Sequence, residues 1–331
     1  MAHRYRDLLP DNFSQRALRE DVRAGLTSQP KSLPPKWFYD KVGSELYEQI
    51  TRLPEYYPFD AEREILLARA SQIVDRAACT MIVELGSGSS EKTRALIEAL
   101  LEQTVDEQPL YRAIDVSDTA LHAAVDDLAR RYPRLELESV RADFEHGLTA
   151  ALGPADDTEP TPGRLVVFLG GTIGNQTPDQ RQALLADLRD ALRPGDTFLL
   201  GADLVKSPEV LVPAYDDAAG VTAAFNLNVL DVVNARLGAT FDRADFRHVA
   251  VWDAEQAWIE MRLEARRDVT VQVEDLDLTI DFTEGEQLRT EISAKFTRAR
   301  LEAEFVDAGF DSAGWWTDEA GRFSVSLWSP A

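Results

Sequence analysis

The chain has 331 residues, enough for two joined domains with sizeable cores, and its 58 acidic against 35 basic side chains give a formal charge of −23 at pH 7. Such an acidic surface repels phosphate backbones and anionic headgroups, so neither nucleic acid nor a membrane surface is expected as a partner, and no apolar run approaches the roughly 18 residues of a membrane span. Cys79 is the single cysteine, which excludes an intrachain disulfide; with a polar N-terminus lacking a signal-peptide core, it points to the cytoplasm.

The periodicity predicts an amphipathic helix over residues 14–24, stopped by Gly25, and a second over 40–51. Between them Pro34-Pro35-Lys36-Trp37-Phe38-Tyr39 is too proline-rich and aromatic for a helix interior. Leu53-Pro54-Glu55-Tyr56-Tyr57-Pro58 reads as another rigid aromatic turn, before a helix over 60–76. Short apolar runs then appear at 81–85, 111–116, 135–140, 165–169 and 197–200, with helical stretches near 91–101, 118–131 and 178–192. Thr177 as N-cap, Pro178 at the first helical position and Gln180 predict a capping box at the start of the last of these. The segment from Gly153 to Gly163, rich in Pro, Asp and Thr, reads as a surface loop.

After Asp203 the order changes. Helical sequence fills 208–237, and β-like stretches follow, with Ala257, Ile259, Met261 and Leu263 on one face and Trp258, Glu260, Arg262 and Glu264 on the other. A helix over 297–308 precedes two closing strands, 315–317 and 323–328. Strands alternating with helices mean βαβ units and a parallel sheet. The expected fold is α/β, a mostly parallel Rossmann-like sheet carrying a second α+β domain. Residues 61–204 and 296–331 are assigned to the sheet domain, and 1–60 (as a helical part) with the insertion 205–295 to a substrate domain.

Glu84-Leu85-Gly86-Ser87-Gly88 closes the first apolar strand and leads toward the helix carrying Lys92. Glycines there let backbone amides approach a ligand, and a helix start adds partial positive charge. Two cofactor classes use such a turn. A dinucleotide site calls for a third glycine where this chain has Glu91, a carboxylate that a pyrophosphate would repel. S-adenosylmethionine carries no phosphate, and its methionine carboxylate can meet Lys92 or the helix start. Asp115, ending the second strand, can accept both ribose hydroxyls, and Asp143-Phe144 after the third can take the adenine amino group beside an aromatic face. Taken singly, the two aspartates can be caps and Lys92 a helix-pairing residue.

At this point the sequence resembles the histidine-specific Nα-methyltransferases of ergothioneine biosynthesis, from about residue 15 onward. The likeness rests on Lys31-Ser32-Leu33-Pro34-Pro35-Lys36-Trp37-Phe38-Tyr39-Asp40, on the 51–58 stretch Thr51-Arg52-Leu53-Pro54-Glu55-Tyr56-Tyr57-Pro58, and on Glu84-Leu85-Gly86-Ser87-Gly88. It rests also on Phe168-Leu169-Gly170-Gly171-Thr172-Ile173-Gly174-Asn175, Ala214-Tyr215-Asp216-Asp217-Ala218-Ala219-Gly220-Val221 and Thr290-Glu291-Ile292-Ser293. The resemblance implies a class I methyltransferase fold, S-adenosyl-L-methionine as cofactor, L-histidine as substrate and hercynine as product after three methyl transfers. It implies that Gly86, Lys92, Asp115, Asp143 and Phe144 touch the cofactor. Histidine would meet Tyr56, Asn175, Tyr215, Met261, Glu291, Ile292 and Ser293, with Tyr39 near its amine. Tyr39, Tyr56 and Asn175 are the candidate catalytic residues. Gly171 stands where the family commonly has Ser, with little expected consequence.

The chemistry asks chiefly for positioning. A neutral amine must be aligned with a carbon–sulfur bond and stripped of water, and an ordinary α-amine near pKa 7.7–8.0 is partly neutral without a strong base. Tyr39 and Tyr56 can hold the amine by hydroxyls and face its growing cationic cluster with their rings; such turns can also simply plug a domain seam. Asn175 can serve a carboxylate or amine, or merely cap a turn, and Tyr215 in a helical stretch can be core. Glu291 and Ser293, two apart in a strand, share a face and can grip one imidazole nitrogen each, leaving Ile292 to the core. The alternative is a solvated face with Lys295 pairing Glu291. His3, His122, His146 and His248 lack ligand spacing, so no metal is expected, and a monomer is. The competing functions are N-methylation of another amino acid or aromatic amine, nicotinamide-dependent oxidoreduction, and non-catalytic S-adenosylmethionine sensing.

Overall fold

The computed structural model describes residues 3–88, 90–105, 107–143, 147–153 and 163–331. The chain divides into two compact units: Met1–Leu9, Asp60–Leu204 and Phe296–Ala331 form one, Pro10–Phe59 and Val205–Lys295 the other.

The first unit is built on an eight-stranded sheet. In chain order its strands are β1 (Arg4–Asp7), β2 (Cys79–Leu85), β3 (Leu110–Asp115), β4 (Glu136–Arg141), β5 (Gly163–Phe168) and β6 (Thr197–Asp203), followed by Phe310–Thr317 and Phe323–Pro330. Their spatial order is β1-β4-β3-β2-β5-β6, then Phe323–Pro330, then Phe310–Thr317. The first six run parallel, and the C-terminal pair joins β6 antiparallel. This is the expected class I methyltransferase sheet. Ile82, Val83, Leu165, Val166 and Val167 are inaccessible to water, as the central strands of a parallel sheet covered on both faces must be. Cys79 opens β2, where burial pushes its thiol up to about 12. The capping box at Thr177 and Gln180 is formed, and its helix spans Pro178–Ala191.

Two details of this unit differ from expectation. Residues 1–60 are not uniformly helical, because Arg4–Asp7 extends the sheet edge beside β4. Arg4 and Arg6 pair with Glu136 and Glu138 of that neighbour, at 3.0 Å each. A charged four-residue strand has no apolar alternation to announce it. The helix expected from residue 91 starts at Arg94, after a turn over residues 91–93.

The second unit packs the helices Phe13–Thr27, Lys41–Ile50 and Val221–Leu237 with two antiparallel sheets. One orders Gln287–Ala294, Trp258–Ala265 and Phe246–Asp253; the other is the hairpin Val269–Val273 with Leu278–Phe282. Its core includes Leu18, Val22, Phe38, Phe225, Val229, Ile259, Met261 and Leu263. The first helix runs through Gly25 to Thr27. Gly25 serves close approach instead, since a Cβ there would lie 1.9 Å from the Ser32 carbonyl oxygen. Asp40 caps the next helix by accepting the Gly43 amide at 2.7 Å.

The stretch 208–237 is not one helix. Pro208–Leu211 and Val221–Leu237 are separated by a turn, where Asp217 accepts the Val221 and Thr222 amides at 3.0 and 2.7 Å and Gly220 takes φ 74. Tyr215 therefore lies on a turn. The apolar residues that follow, needed because Val221–Leu237 is buried on most sides, blur this break in the sequence.

Candidate functional site

In the first unit, β2, β3 and β4 end side by side, so Gly86, Asp115 and Asp143 follow neighbouring strand termini. Open α/β sheets bind ligands outside the carboxyl ends of their strands, where the strand order reverses; here that place lies between β2 and β5. Gly86 and Gly88 hold φ 67 and 47, which glycine tolerates without a Cβ penalty. The turn is tied to β3, with the Gly86 and Ser87 amides donating to the Ile114 carbonyl at 2.9 and 3.2 Å. Asp115 holds it from the side, accepting the Gly88 amide at 3.1 Å and the Ser117 amide at 2.9 Å. Loss of water raises the Asp115 pKa, opposed by those amides. A carboxylate has about four lone-pair sites, so two amides leave it capacity for a diol. Ser87 Oγ is buried with no hydrogen-bond partner among the described residues, an unclaimed polar atom in the turn where a polar ligand would sit.

Behind the turn lies a layer of buried carboxylates. Glu84 accepts from Thr93 and Tyr111 hydroxyls, and burial pushes it up to about 7. Glu62, from the helix Tyr57–Ala77, is inaccessible to water and pairs with Lys92. The same carboxylate accepts the Gly170 amide at 2.8 and 3.0 Å. Gly170 and Gly171 take φ 82 and 69 and lead into the short turn Thr172–Asn175. Asn175 closes that turn, half-buried, while the helix after it is capped by Thr177.

In the second unit, Tyr39, Tyr47, Tyr56, Tyr215 and Phe225 form a chain of edge-on and tilted rings with centroids 5.5–6.4 Å apart, the geometry aromatic quadrupoles prefer. Removal from water holds the Tyr56 phenol well above its ordinary pKa, with Tyr47, Tyr215 and Tyr39 adding to the shift. Ser293 and Glu291 lie in Gln287–Ala294, opposite Ile259 and Met261 in register. Ile292, between them, points to the opposite face, opposite Glu260, and is buried; its side chain does not share the Glu291–Ser293 surface, because neighbours in a strand alternate. Tyr215 Oη and Ser293 Oγ lie 2.7 Å apart, and Lys295 Nζ donates to both at 2.8 Å. Loss of water pushes Glu291 up to about 7, with Lys295 opposing the shift. This is no solvated face: Ser293 is 5% and Lys295 0% exposed.

The whole pattern matches one family model, described as "Histidine-specific methyltransferase, SAM-dependent", over residues 18–330. The chain belongs to that family. It is 52% identical to the histidine N-alpha-methyltransferase of Mycolicibacterium smegmatis, covering 94% of each chain. Identity to the protein of the same description from Mycobacterium tuberculosis is 49%, over 96% of this chain and 97% of that one. A 4-dimethylallyltryptophan N-methyltransferase of Claviceps purpurea is 28% identical over 93% of each. This histidine-specific methyltransferase therefore uses S-adenosylmethionine, and no described helix is long and apolar enough to cross a membrane.

The residues expected at the methyltransferase site fall into two groups, one per unit. Gly86, Lys92, Asp115, Asp143 and Asn175 belong to the first; Tyr39, Tyr56, Tyr215, Met261, Glu291, Ile292 and Ser293 belong to the second. Phe144 lies outside the described residues, as do His146 and most of the loop after Gly153. Lys92 is engaged by Glu62, a carboxylate the sequence reading missed because it sits on a separate helix 30 residues upstream. Tyr47, Phe225 and Lys295 were missed also. Tyr47 and Phe225 share helices with core residues and carried no signal of their own. Lys295 was read only as a partner for Glu291, although its two-residue spacing from Ser293 places it on the same face.

Proposed function

We propose that the enzyme transfers three methyl groups in succession to the α-amine of L-histidine, yielding hercynine, within ergothioneine biosynthesis. The observation carrying this reading is the pair Glu291 and Ser293 on one buried strand face, in a chain 52% and 49% identical to two histidine N-alpha-methyltransferases. An imidazole has one N–H for the Glu291 carboxylate and one accepting nitrogen for the Ser293 hydroxyl. S-adenosylmethionine supplies an electrophilic methyl group on sulfur. Gly86 and its turn, lacking a Cβ at both glycines, would let this cofactor approach the backbone closely, Asp115 would accept its ribose hydroxyls, and Asp143 with Phe144 would take the adenine end. Lys92, fixed by Glu62, would bring positive charge toward the methionine carboxylate.

On the histidine side, Tyr56, Tyr215 and Asn175 would bind the amino-acid backbone, with Met261 filling the floor of the pocket. Tyr39 and Tyr56 would keep the neutral amine in line by their hydroxyls and face the growing methylammonium with their rings. A high Tyr56 pKa supports this, since a phenol that stays protonated can accept an amine N–H at its oxygen, leaving the nitrogen lone pair to the methyl group, without becoming an anion that traps the cationic product. The acidic surface and lone cysteine support a cytoplasmic monomer.

The decisive experiment incubates purified enzyme with S-adenosylmethionine and each of the amino acids in turn, counting added methyl groups by mass. Histidine should accept three. A tryptophan derivative or other aromatic amine methylated in its place would establish the sibling activity suggested by the Claviceps relative, and binding without turnover would establish a sensor. Within the histidine reading, Glu291→Ala should weaken histidine binding by about 1.5–3 kcal/mol, the range for a hydrogen bond to a charged group. Calorimetry giving the wild-type affinity would remove Glu291 from the site.

A further inference from the structure

Lys295, the residue directly after the strand that carries Glu291 and Ser293, is fully buried. Its ammonium, the Tyr215 hydroxyl and the Ser293 hydroxyl form a closed triangle with sides of 2.8, 2.8 and 2.7 Å. Proton counting constrains this triangle. An ammonium has three donors and no acceptor, whereas each hydroxyl has one donor and two lone pairs. Lys295 must donate to both oxygens. One hydroxyl proton then closes the Tyr215–Ser293 side, and the second points out of the triangle.

Two arrangements satisfy that count. If Ser293 donates to Tyr215, its remaining lone pair can accept an N–H from the ligand, as an imidazolium would require. If Tyr215 donates to Ser293, the Ser293 proton points outward and meets an accepting ring nitrogen, which only a neutral imidazole has. The buried charge separates the two. A cation at Lys295 repels a second cation one hydroxyl away, strongly where little water screens it, and the burial that pushes Glu291 up to about 7 weakens the opposing pull of its carboxylate. It also polarises Ser293 Oγ, making its hydroxyl a better donor.

We infer that Lys295 is a positioning residue that sets the Ser293 hydroxyl as a donor and makes the site select the neutral imidazole ring. The inference rests on the histidine reading above and adds to it a source of ring selectivity not held by any atom touching the substrate. The Tyr215 ring, 4.7 Å from Lys295 Nζ, adds a cation–π contact to the two hydrogen bonds that hold the amine.

The test compares binding of histidine with its two pyrrole isosteres, each of which keeps one ring N–H and lacks the accepting nitrogen. Wild-type enzyme loaded with S-adenosylhomocysteine should prefer histidine over both by about tenfold or more. In Lys295→Met the preference over the better-bound isostere should shrink severalfold, with the KM for histidine rising more than kcat falls. Lys295→Arg, which keeps the charge, should restore most of the preference. A merely structural role would weaken all three ligands alike, so an unchanged ratio in Lys295→Met overturns the inference. Equal binding of histidine and an isostere by the wild type overturns it without any variant, which covers the case of a variant that fails to fold. Histidine binding and trimethylation with no ring discrimination sinks the Lys295 role alone; no histidine binding by cofactor-loaded wild type sinks the histidine reading and this inference together.

Discussion

Replacing Glu62 by alanine is expected to destabilise the sheet unit by about 3–5 kcal/mol, the cost of removing one partner from a buried ion pair. Glu62 is inaccessible to water, and its two oxygens serve Lys92 and the Gly170 amide together. Without them the Lys92 ammonium loses its buried ion-pair partner and the Gly170 N–H loses the carboxylate it donates to, which adds a desolvation penalty. Glu62→Gln should cost less, because its amide oxygen can still accept from Gly170. The neighbouring strand is shaped for this carboxylate: a Cβ on Gly201 would lie 1.9 Å from Glu62 Oε1. Gly201→Ala should therefore destabilise by about 1–3 kcal/mol through overpacking. Because a two-unit chain need not unfold in one step, amide exchange along β5 and β6 is the proper readout. Protection in Glu62→Ala within 1 kcal/mol (about fivefold in rate) of wild type would contradict the assignment.

Asp115→Ala is expected to lower affinity for S-adenosylhomocysteine on the order of 100-fold or more. A hydrogen bond to a charged group contributes about 1.5–3 kcal/mol, and a ribose offers two hydroxyls to this carboxylate. The substitution also releases the Gly88 and Ser117 amides, so the glycine turn loses the brace that shapes it. Asp115→Asn keeps one acceptor oxygen and should fall between. Titration calorimetry distinguishes these outcomes, and tight binding by Asp115→Ala would withdraw the ribose role.

Much of the proposed cofactor side is legible in the chain. Glycines after an apolar strand, and aspartates at the next two strand ends, are local signals whose spacing directly reports where a parallel sheet ends. The capping box at Thr177 was legible for the same reason, since its four residues satisfy each other. Lys92 was only half-read. Its place near the turn is local, but its partner Glu62 reaches it from another helix, and nothing in either segment names the other. The same limit hid β1, whose arginines acquire meaning only beside Glu136 and Glu138.

On the proposed histidine side, strand alternation alone puts Glu291 and Ser293 on one face and Ile292 on the other. It could not say whether that face was wet. Burial of Ser293 and Lys295, and the raised Glu291 pKa, come from what packs over the strand. Likewise the turn that carries Tyr215 depends on the Asp217 carboxylate reaching forward to the amides of Val221 and Thr222, and on His248 Nε2 donating to the Tyr215 carbonyl at 2.7 Å.

By itself, then, the order of residues determined the alternation of strands and helices, the glycine turn, and which side chains share a strand face, because these depend on neighbours a few positions away. Only the tertiary structure decided which charges are buried, what each is paired with, and which rings from distant segments line up, because desolvation and pairing are properties of the surroundings a side chain ends in.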